Sequence, residues 1–263
     1  MKILNKENIL SIPVISEKET RFLGFVDVLD IASSVYHEWL KVSSELNGDL
    51  FPDEKYFETP ISELLNYSRI DYPYFVSTTD TIEKVIQLFR SPRVAHRLHR
   101  VAVLDENKKM VDVLSQSDII RFAAANITKF KSKKSKIAEE LKIIRAPIML
   151  KVDCSIADAL LCVCNNMISG IALVDEQFQL IGNFSASDLR GIDPSCFTFF
   201  SGSVLQFLSK QSTPKPTKFM KEQSTLEEIV KEIASDNIHR IFVTSDAGFP
   251  KGVISLIDII TIL

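Results

Sequence analysis

One short polar element returns along the chain at a fixed spacing. Three Ser-x-x-Asp elements end at Asp118, Asp188 and Asp258, which follow one another at intervals of 70 residues. Counting back nineteen residues from Asp30 reaches Ser11-Ile12, which predicts a fourth copy in the same register. A repeat that keeps its spacing without gaps indicates a duplicated small module. Counting back the same distance from the other three aspartates reaches these pairs: His99-Arg100, Ser169-Gly170 and His239-Arg240.

The last copy shows the secondary structure of the module most clearly. Thr225 and Glu228 have the spacing of a capping box at the start of a helix. Two apolar strands follow, at 241–244 and 252–254, and the second leads into Ser255 and Asp258 at the start of another helix. Each copy is therefore predicted to be β-α-β-β-α. The spacing i, i+3, i+4, i+7 predicts one buried face on its first helix: Leu226, Ile229, Val230 and Ile233.

The copies organise the whole chain into an α+β fold. We place them at residues 1–40, 68–128, 145–208 and 213–263, and the first copy lacks its leading strand and the start of its helix. One such unit cannot bury both faces of its sheet alone. We therefore expect copies one and two, and copies three and four, to pack sheet to sheet as pseudo-two-fold pairs. The basic stretch from Lys129 to Lys136 is interpreted as a solvated linker between the pairs rather than a nucleic-acid patch.

Composition favours a non-membrane protein. The net charge is −3, which gives no case for binding nucleic acid or a membrane surface. No apolar run approaches the roughly 18 residues of a membrane helix, and the first residues carry no secretory signal pattern. The four cysteines lack metal-site spacing, so we interpret them as reduced. We expect a cytoplasmic protein, with the nucleus as a second location.

The sequence does not favour an enzyme. With 8 glycines it offers no Gly-rich phosphate loop, and we find no nucleophile with a paired base and no metal-ligand cluster. Only 4 histidines are present, and His99 and His239 belong to the repeat. We therefore predict a non-catalytic protein without a metal site.

The repeated pattern resembles a known family. An apolar strand, an acidic turn and Gly-apolar-apolar-Ser-x-x-Asp before a helix are similar to cystathionine-beta-synthase-type (CBS) repeats. The four-repeat plan, with His-Arg in copies two and four, resembles the gamma regulatory subunit of AMP-activated and Snf1-related protein kinases, and residues 182–190 are similar to plant-type members. The resemblance implies adenine nucleotides (AMP, ADP or ATP) as regulatory ligands between repeats, without a covalent cofactor. It also implies kinase catalytic (alpha) and beta subunits as partners.

The resemblance also implies roles for individual residues. A carboxylate at a helix start can accept both hydroxyls of a ribose, and a guanidinium fork fits phosphate oxygens. A serine hydroxyl can cap the same helix or bond the phosphate. Because Ser-x-x-Asp is also an ordinary helix-start signal, capping remains the alternative at each aspartate. The implied ribose ligands are Asp30, Asp118, Asp188 and Asp258, the implied phosphate ligands are His99, Arg100, His239 and Arg240, and the serines are Ser115, Ser185 and Ser255.

The copies differ in how well they fit this pattern. We rank the site at Asp258 with His239 and Arg240 first, followed by Asp188 sharing the same basic pair. The Asp30 site is expected to be weak or empty, because Asp27 replaces the serine and would repel a phosphate. The alternative function is a CBS-domain scaffold that acts through protein contacts with little nucleotide response.

Overall fold

Four copies of one small unit are recognisable in the computed structural model. It describes residues 2–17, 21–46, 58–69, 72–91, 98–130, 132–190, 200–210 and 217–263. Among these residues no helix is long and apolar enough to cross a membrane. Cys196 and the residues 92–97 that lengthen copy two lie outside the described residues.

Copies one and two differ in completeness. Copy one starts within a helix and continues through a two-stranded hairpin into a long helix, and copy two contains the full β-α-β-β-α unit. Short 3-10 helices occupy Ile61–Leu64, between the copies, and Ile127–Lys129, after the second. The elements are α1 (Lys2–Lys6), β1 (Ser11–Ile15), β2 (Phe22–Asp27), α2 (Val28–Leu46), β3 (Phe75–Ser77), α3 (Ile82–Arg90), β4 (Arg100–Leu104), β5 (Met110–Ser115) and α4 (Gln116–Ala125).

Copies three and four repeat the unit, with one departure. The closing helix of copy three, predicted from Asp188 onward, is a 3-10 helix over Ala186–Leu189 in the described residues. The predicted capping box at Thr225 and Glu228 and the predicted buried helix face after it are both confirmed. The elements are β6 (Met149–Lys151), α5 (Ile156–Asn165), β7 (Gly170–Val174), β8 (Leu180–Ser185), α6 (Val204–Ser209), β9 (Phe219–Met220), α7 (Leu226–Asp236), β10 (Arg240–Thr244), β11 (Pro250–Ser255) and α8 (Leu256–Ile260).

The sheets share one topology and nearly one register. In copies two to four the first strand runs parallel to the second, which pairs antiparallel with the third. Arg100, Gly170 and Arg240 each pair with the serine of the following Ser-x-x-Asp element. In copy one it is Ser11 that pairs with Asp27. The prediction of identical spacing for copy one was therefore wrong by one residue, because the β1–β2 turn is one residue longer.

Sheets join copies within a pair, and helices join the two pairs. Phe25 of copy one packs with Ala102 and Leu104 of copy two, and the Leu180 N–H donates to the Gly248 carbonyl between copies three and four. Helices of copies one and three share one buried cluster, and those of copies two and four share another. The α+β class and the sheet-to-sheet pairs are as predicted. The pairing of helices between copies one and three, and between two and four, was not predicted.

Candidate functional site

All four repeat aspartates cap the helix that they begin. The Oδ2 atom accepts the backbone N–H three residues earlier, at 2.8 Å in Asp30, 2.8 Å in Asp118, 2.7 Å in Asp188 and 2.9 Å in Asp258. In the last three copies the serine hydroxyl also donates to this oxygen. Helix capping, the alternative left open by the sequence, is therefore a real role of every repeat aspartate. What the second carboxylate oxygen contacts distinguishes one copy from another.

The second oxygen of Asp30 is bonded by the segment between copies one and two. The backbone N–H and the hydroxyl of Ser68 both donate to Asp30 Oδ1, at 2.8 Å and 2.6 Å. Asp30 is 2% exposed, and burial raises the pKa of its carboxyl to about 6, against the lowering effect of the Ser68 hydrogen bonds. The copy-one carboxylate is thus both buried and engaged inside the chain.

The second oxygen of Asp258 is bonded by the segment that leads into β6. Arg145 Nε donates to Asp258 Oδ1 at 2.9 Å, and Asp258 is 3% exposed. The backbone of Arg145 also exchanges two hydrogen bonds with Val253 on β11. A Cβ added to Gly252 would lie 2.1 Å from Ile144 Cγ2, so this segment packs directly on the strand. The site that the sequence ranks first is covered, and its carboxylate is engaged through both oxygens.

Asp118 is paired within its own helix. Arg121 Nη2 lies 2.5 Å from Asp118 Oδ1, and the arginine side chain is 52% exposed. Burial alone would raise the pKa of Asp118, but hydrogen bonds from Ser115 and Arg121 outweigh it, so the pKa lies below its usual value. An exposed pair of this kind is held weakly.

Copy three brings Asp188 close to a basic residue of copy four. Arg240 donates to Ser169 Oγ at 2.6 Å, and it feels the charge of Asp188, which raises its pKa. Burial has the larger effect and lowers the pKa of the Arg240 guanidinium to about 10. The hydroxyls of Ser185 and Ser187 lie 2.8 Å apart beside the aspartate. Arg240 of copy four thus contacts copy three at Ser169, and its sharing with an Asp188 site stays a prediction.

The equivalent arginine of copy two is neutralised. Arg100 Nη2 lies 3.0 Å from Asp27 Oδ2, with side chains 14% and 12% exposed, and Arg100 also donates to Ser11. Asp27, which was expected to repel a phosphate, also forms an ion pair with Arg100, so this arginine is already engaged. His99 and His239 are half-buried. Burial, helped by the nearby charges of Arg100 and Arg240 and opposed by Asp27, lowers the pKa of His99 to about 4.

The copies also differ in whether the strand surface beside the aspartate is covered by another segment. The glycine six residues before the aspartate contacts a neighbouring segment in copies one and four. A Cβ on Gly24 would lie 3.2 Å from Leu65, whereas among the described residues one on Gly182 would contact only Leu173 of its own sheet, at 3.7 Å. Copy two has the exposed Asp112 here. Among the described residues, the copy-three strand therefore has the most open surface next to its carboxylate.

Sequence reasoning missed the segments that lead into the first strand of a partner copy. Ser68 precedes β3 and contacts the aspartate of copy one, and Arg145 precedes β6 and contacts that of copy four. Thr217, before β9, bonds Asn183 on the copy-three strand at 3.0 Å. These residues precede the first strand of their copy, where the Ser-x-x-Asp register carried no signal for them. Over the described ranges no cluster of His, Cys, Asp and Glu has the geometry of a metal site.

The chain matches the family model of the CBS domain over residues 68–125 and 213–263, which fall in copies two and four. The chain therefore contains CBS domains in these two copies. Among solved structures, protein MJ1225 from Methanocaldococcus jannaschii, proposed as an archaeal homolog of g-AMPK, has a similar fold. Its TM-score is 0.79 at 14% identity, over 99% of this chain and 90% of that one. At that identity the likeness shows the fold alone.

Curated relatives of this CBS-domain protein fall into two groups. The 5'-AMP-activated protein kinase subunit gamma of Kluyveromyces lactis is 25% identical over 99% of this chain and 80% of its own length. The Arabidopsis thaliana SNF1-related protein kinase regulatory subunit gamma-like PV42a is 34% identical, but over 31% of this chain and 24% of its own. Protein SDS23 of Debaryomyces hansenii is 26% identical over 65% of this chain and only 33% of its own length. The chain therefore spans about a third of that relative, and it resembles the kinase gamma subunits over nearly its whole length.

Proposed function

We propose that this CBS-domain protein is a regulatory subunit that binds one adenine nucleotide in the cleft of copy three and regulates a Snf1/AMP-activated-type kinase. The observation that carries the proposal is the position of Arg240, from copy four: it donates to Ser169 Oγ at 2.6 Å, next to Gly170, which pairs with Ser185 of the Asp188 capping box. The similarity to the Kluyveromyces lactis gamma subunit over 99% of the chain supports the regulatory role.

The chemistry of this cleft suits a nucleotide. The capping box fixes Asp188 through Oδ2, so the carboxylate is oriented before any ligand arrives. A carboxylate accepts the two hydroxyls of a ribose, and the guanidinium of Arg240 matches phosphate oxygens. The hydroxyls of Ser169, Ser185 and Ser187 add donors between the two charges. No described residue outside the sheet contacts a Cβ placed on Gly182, which supports a place for the flat face of a base on this strand.

Regulation requires that the nucleotide prefer one arrangement of the assembly over another. A ligand shifts an equilibrium only by the difference between its affinities for the two states. The cleft is formed by copies three and four together, so a change in their packing would change the distance between Asp188 and Arg240. We propose the catalytic (alpha) and beta subunits of the kinase as the partners that sense this change.

Binding is tested by calorimetric titration with AMP, ADP and ATP. Asp188→Asn is expected to weaken the best of these ligands at least about tenfold, since hydrogen bonds to a charged group are worth roughly 1.5–3 kcal/mol. Asp158→Asn is the control, because the Ser155 hydroxyl donates to Asp158 at the start of α5 as the Ser185 hydroxyl donates to Asp188. No binding of any of the three, or equal losses in both variants, would contradict the proposed site.

A scaffold without nucleotide response is the second candidate. It is favoured by the internal bonds of Asp30 and Asp258 and by the ion pair that neutralises Arg100. Co-purification with kinase catalytic and beta subunits, repeated with and without AMP, separates the two. Association that ignores nucleotide supports the scaffold. Recovery of neither subunit would argue against the kinase role in both versions.

A further inference from the structure

The segment from Glu58 to Arg69, between copies one and two, is fastened along one face of α2. Ser68 donates twice to Asp30, and Tyr67 Oη lies 3.0 Å from His37 Nδ1, with the two rings 5.6 Å apart. Asp30 and His37 are seven residues apart on the helix, so they lie on the same side two turns apart. Adjacent residues of the segment therefore make both attachments.

The same segment covers the strand beside Asp30. Leu65 Cδ2 would be 3.2 Å, and Pro73 Cβ 3.5 Å, from a Cβ placed on Gly24 of β2. In copy three a Cβ placed at the corresponding position, Gly182, would be 3.7 Å from Leu173 of its own sheet, and no other described residue contacts it. An apolar side chain thus occupies, in copy one, a surface that the described residues of copy three leave uncovered.

The donors that reach Asp30 match those that a ribose would present. One N–H and one O–H, 2.8 Å and 2.6 Å from the same carboxylate oxygen, provide two adjacent donors, as a cis-diol does. The arginine that would meet a phosphate in this pair, Arg100, is already neutralised by Asp27. The chain itself therefore bonds the carboxylate of the copy-one cleft, covers its apolar surface and neutralises its arginine.

We propose that the segment 58–69 is a built-in occupant of the copy-one cleft: Ser68 takes the place of the sugar hydroxyls and Leu65 that of the base, so this cleft is closed to nucleotide. The interpretation of this cleft as a former nucleotide site rests on the proposed function, whereas the packing of segment 58–69 into it does not. It limits binding in the pair of copies one and two without any loss of the Asp30 carboxylate.

The closure is tested first without nucleotide, by amide hydrogen exchange of peptides covering residues 58–69. Ser68→Ala is expected to speed exchange in this segment at least about tenfold, because it removes a hydrogen bond to a buried carboxylate. Ser68→Thr keeps the hydroxyl and should retain the protection of the wild type. Ser62→Ala is the control, since Ser62 is exposed in the same segment. Unchanged exchange in Ser68→Ala would overturn the closure.

A second measurement adds AMP at about 100 times its dissociation constant. Exchange in residues 58–69 should stay as in the free protein, and Asp30→Asn should leave the number of bound AMP molecules unchanged. Deprotection of the segment by AMP, or loss of a bound AMP in Asp30→Asn, would overturn the proposal. If AMP binds nowhere, the proposed function fails, while the nucleotide-free exchange still decides the closure.

Discussion

A single glycine allows the basic residue of copy four to lie across copy three. A Cβ on Gly170 would fall 1.6 Å from Arg240 Nη1 and 2.8 Å from the Phe184 carbonyl oxygen. The guanidinium is instead held over the strand by Ser169. The Ser169-Gly170 pair, which stands where copies two and four have His-Arg, accommodates the arginine of the partner copy.

Gly170→Ala is therefore expected to destabilise the protein. The methyl group must displace the half-buried Arg240 and crowd a backbone carbonyl, which typically costs about 1–3 kcal/mol. Gly182→Ala is the matched control on the neighbouring strand, where a Cβ meets only ordinary contacts. Removing glycine from a strand there should stabilise by roughly 0.5–1 kcal/mol. Urea unfolding of both variants gives the comparison, and changes of the same sign would contradict the argument.

The residues of the site were predictable only where they belong to the repeat. Asp188 recurs in the other copies and Arg240 matches Arg100 of copy two. The sequence therefore predicted both residues and predicted that they belong to one site. Ser68 and Arg145 precede the first strand of their copy, outside the Ser-x-x-Asp register, and their contacts join residues 38 and 113 positions apart. No local pattern encodes such contacts. This is why the ranking that placed Asp258 first could not anticipate its coverage by Arg145.

At the scale of the element, the helix starts are stabilised by the same side chains that form the candidate sites. At α4, Ser115 Oγ accepts the Asp118 N–H at 3.3 Å and donates to its carboxylate at 2.6 Å. Ser115→Ala should therefore lower the free energy of unfolding by about 1 kcal/mol without any ligand. Ser117→Ala, inside the first turn, is the control and should change it by less than half as much. Equal effects in chemical denaturation would speak against the capping role.

The short helix α1 belongs to the shared core of copies one and three. Leu4 is 1% exposed within the cluster that contains the α5 helix, whereas its neighbour Ile3 is 61% exposed. Leu4→Ala should cost about 2–5 kcal/mol, the range for a truncated core residue. Ile3→Ala should stay within about 0.5 kcal/mol. Urea midpoints measure both, and a small effect of Leu4→Ala would remove α1 from the core.

At the scale of the whole molecule, the sequence predicted which faces of the helices and sheets are buried, but not every surface that they pack against. The i, i+3, i+4 pattern of α7 identified its buried face correctly, and the two short apolar runs of copy four predicted its strands. A buried face, however, does not name the surface that covers it. α7 packs against copy two, and α2 packs against copy three. Because the four copies have similar apolar faces, the sequence does not determine which face packs against which.

Two buried groups in the pair of copies one and two oppose each other as pH changes. The pKa of Asp30 is raised to about 6 by burial, so between its unfolded value near 3.8 and 6 the folded state holds more protons, and stability falls as pH rises. The pKa of His99 is lowered from 6.5 to about 4, again mainly by burial. Over that interval the unfolded state holds more protons at His99, and stability rises with pH.

The two contributions should largely cancel in the wild type between pH 4 and pH 6. Asp30→Asn removes one of them, so its stability relative to the wild type should grow across this interval by up to about 3 kcal/mol. His99→Gln should show the reverse trend, losing stability relative to the wild type as pH rises. Urea midpoints at several pH values measure both differences. Curves parallel to the wild type in either variant would mean that the group is not buried as described, and for Asp30 would also weaken the closure by Ser68.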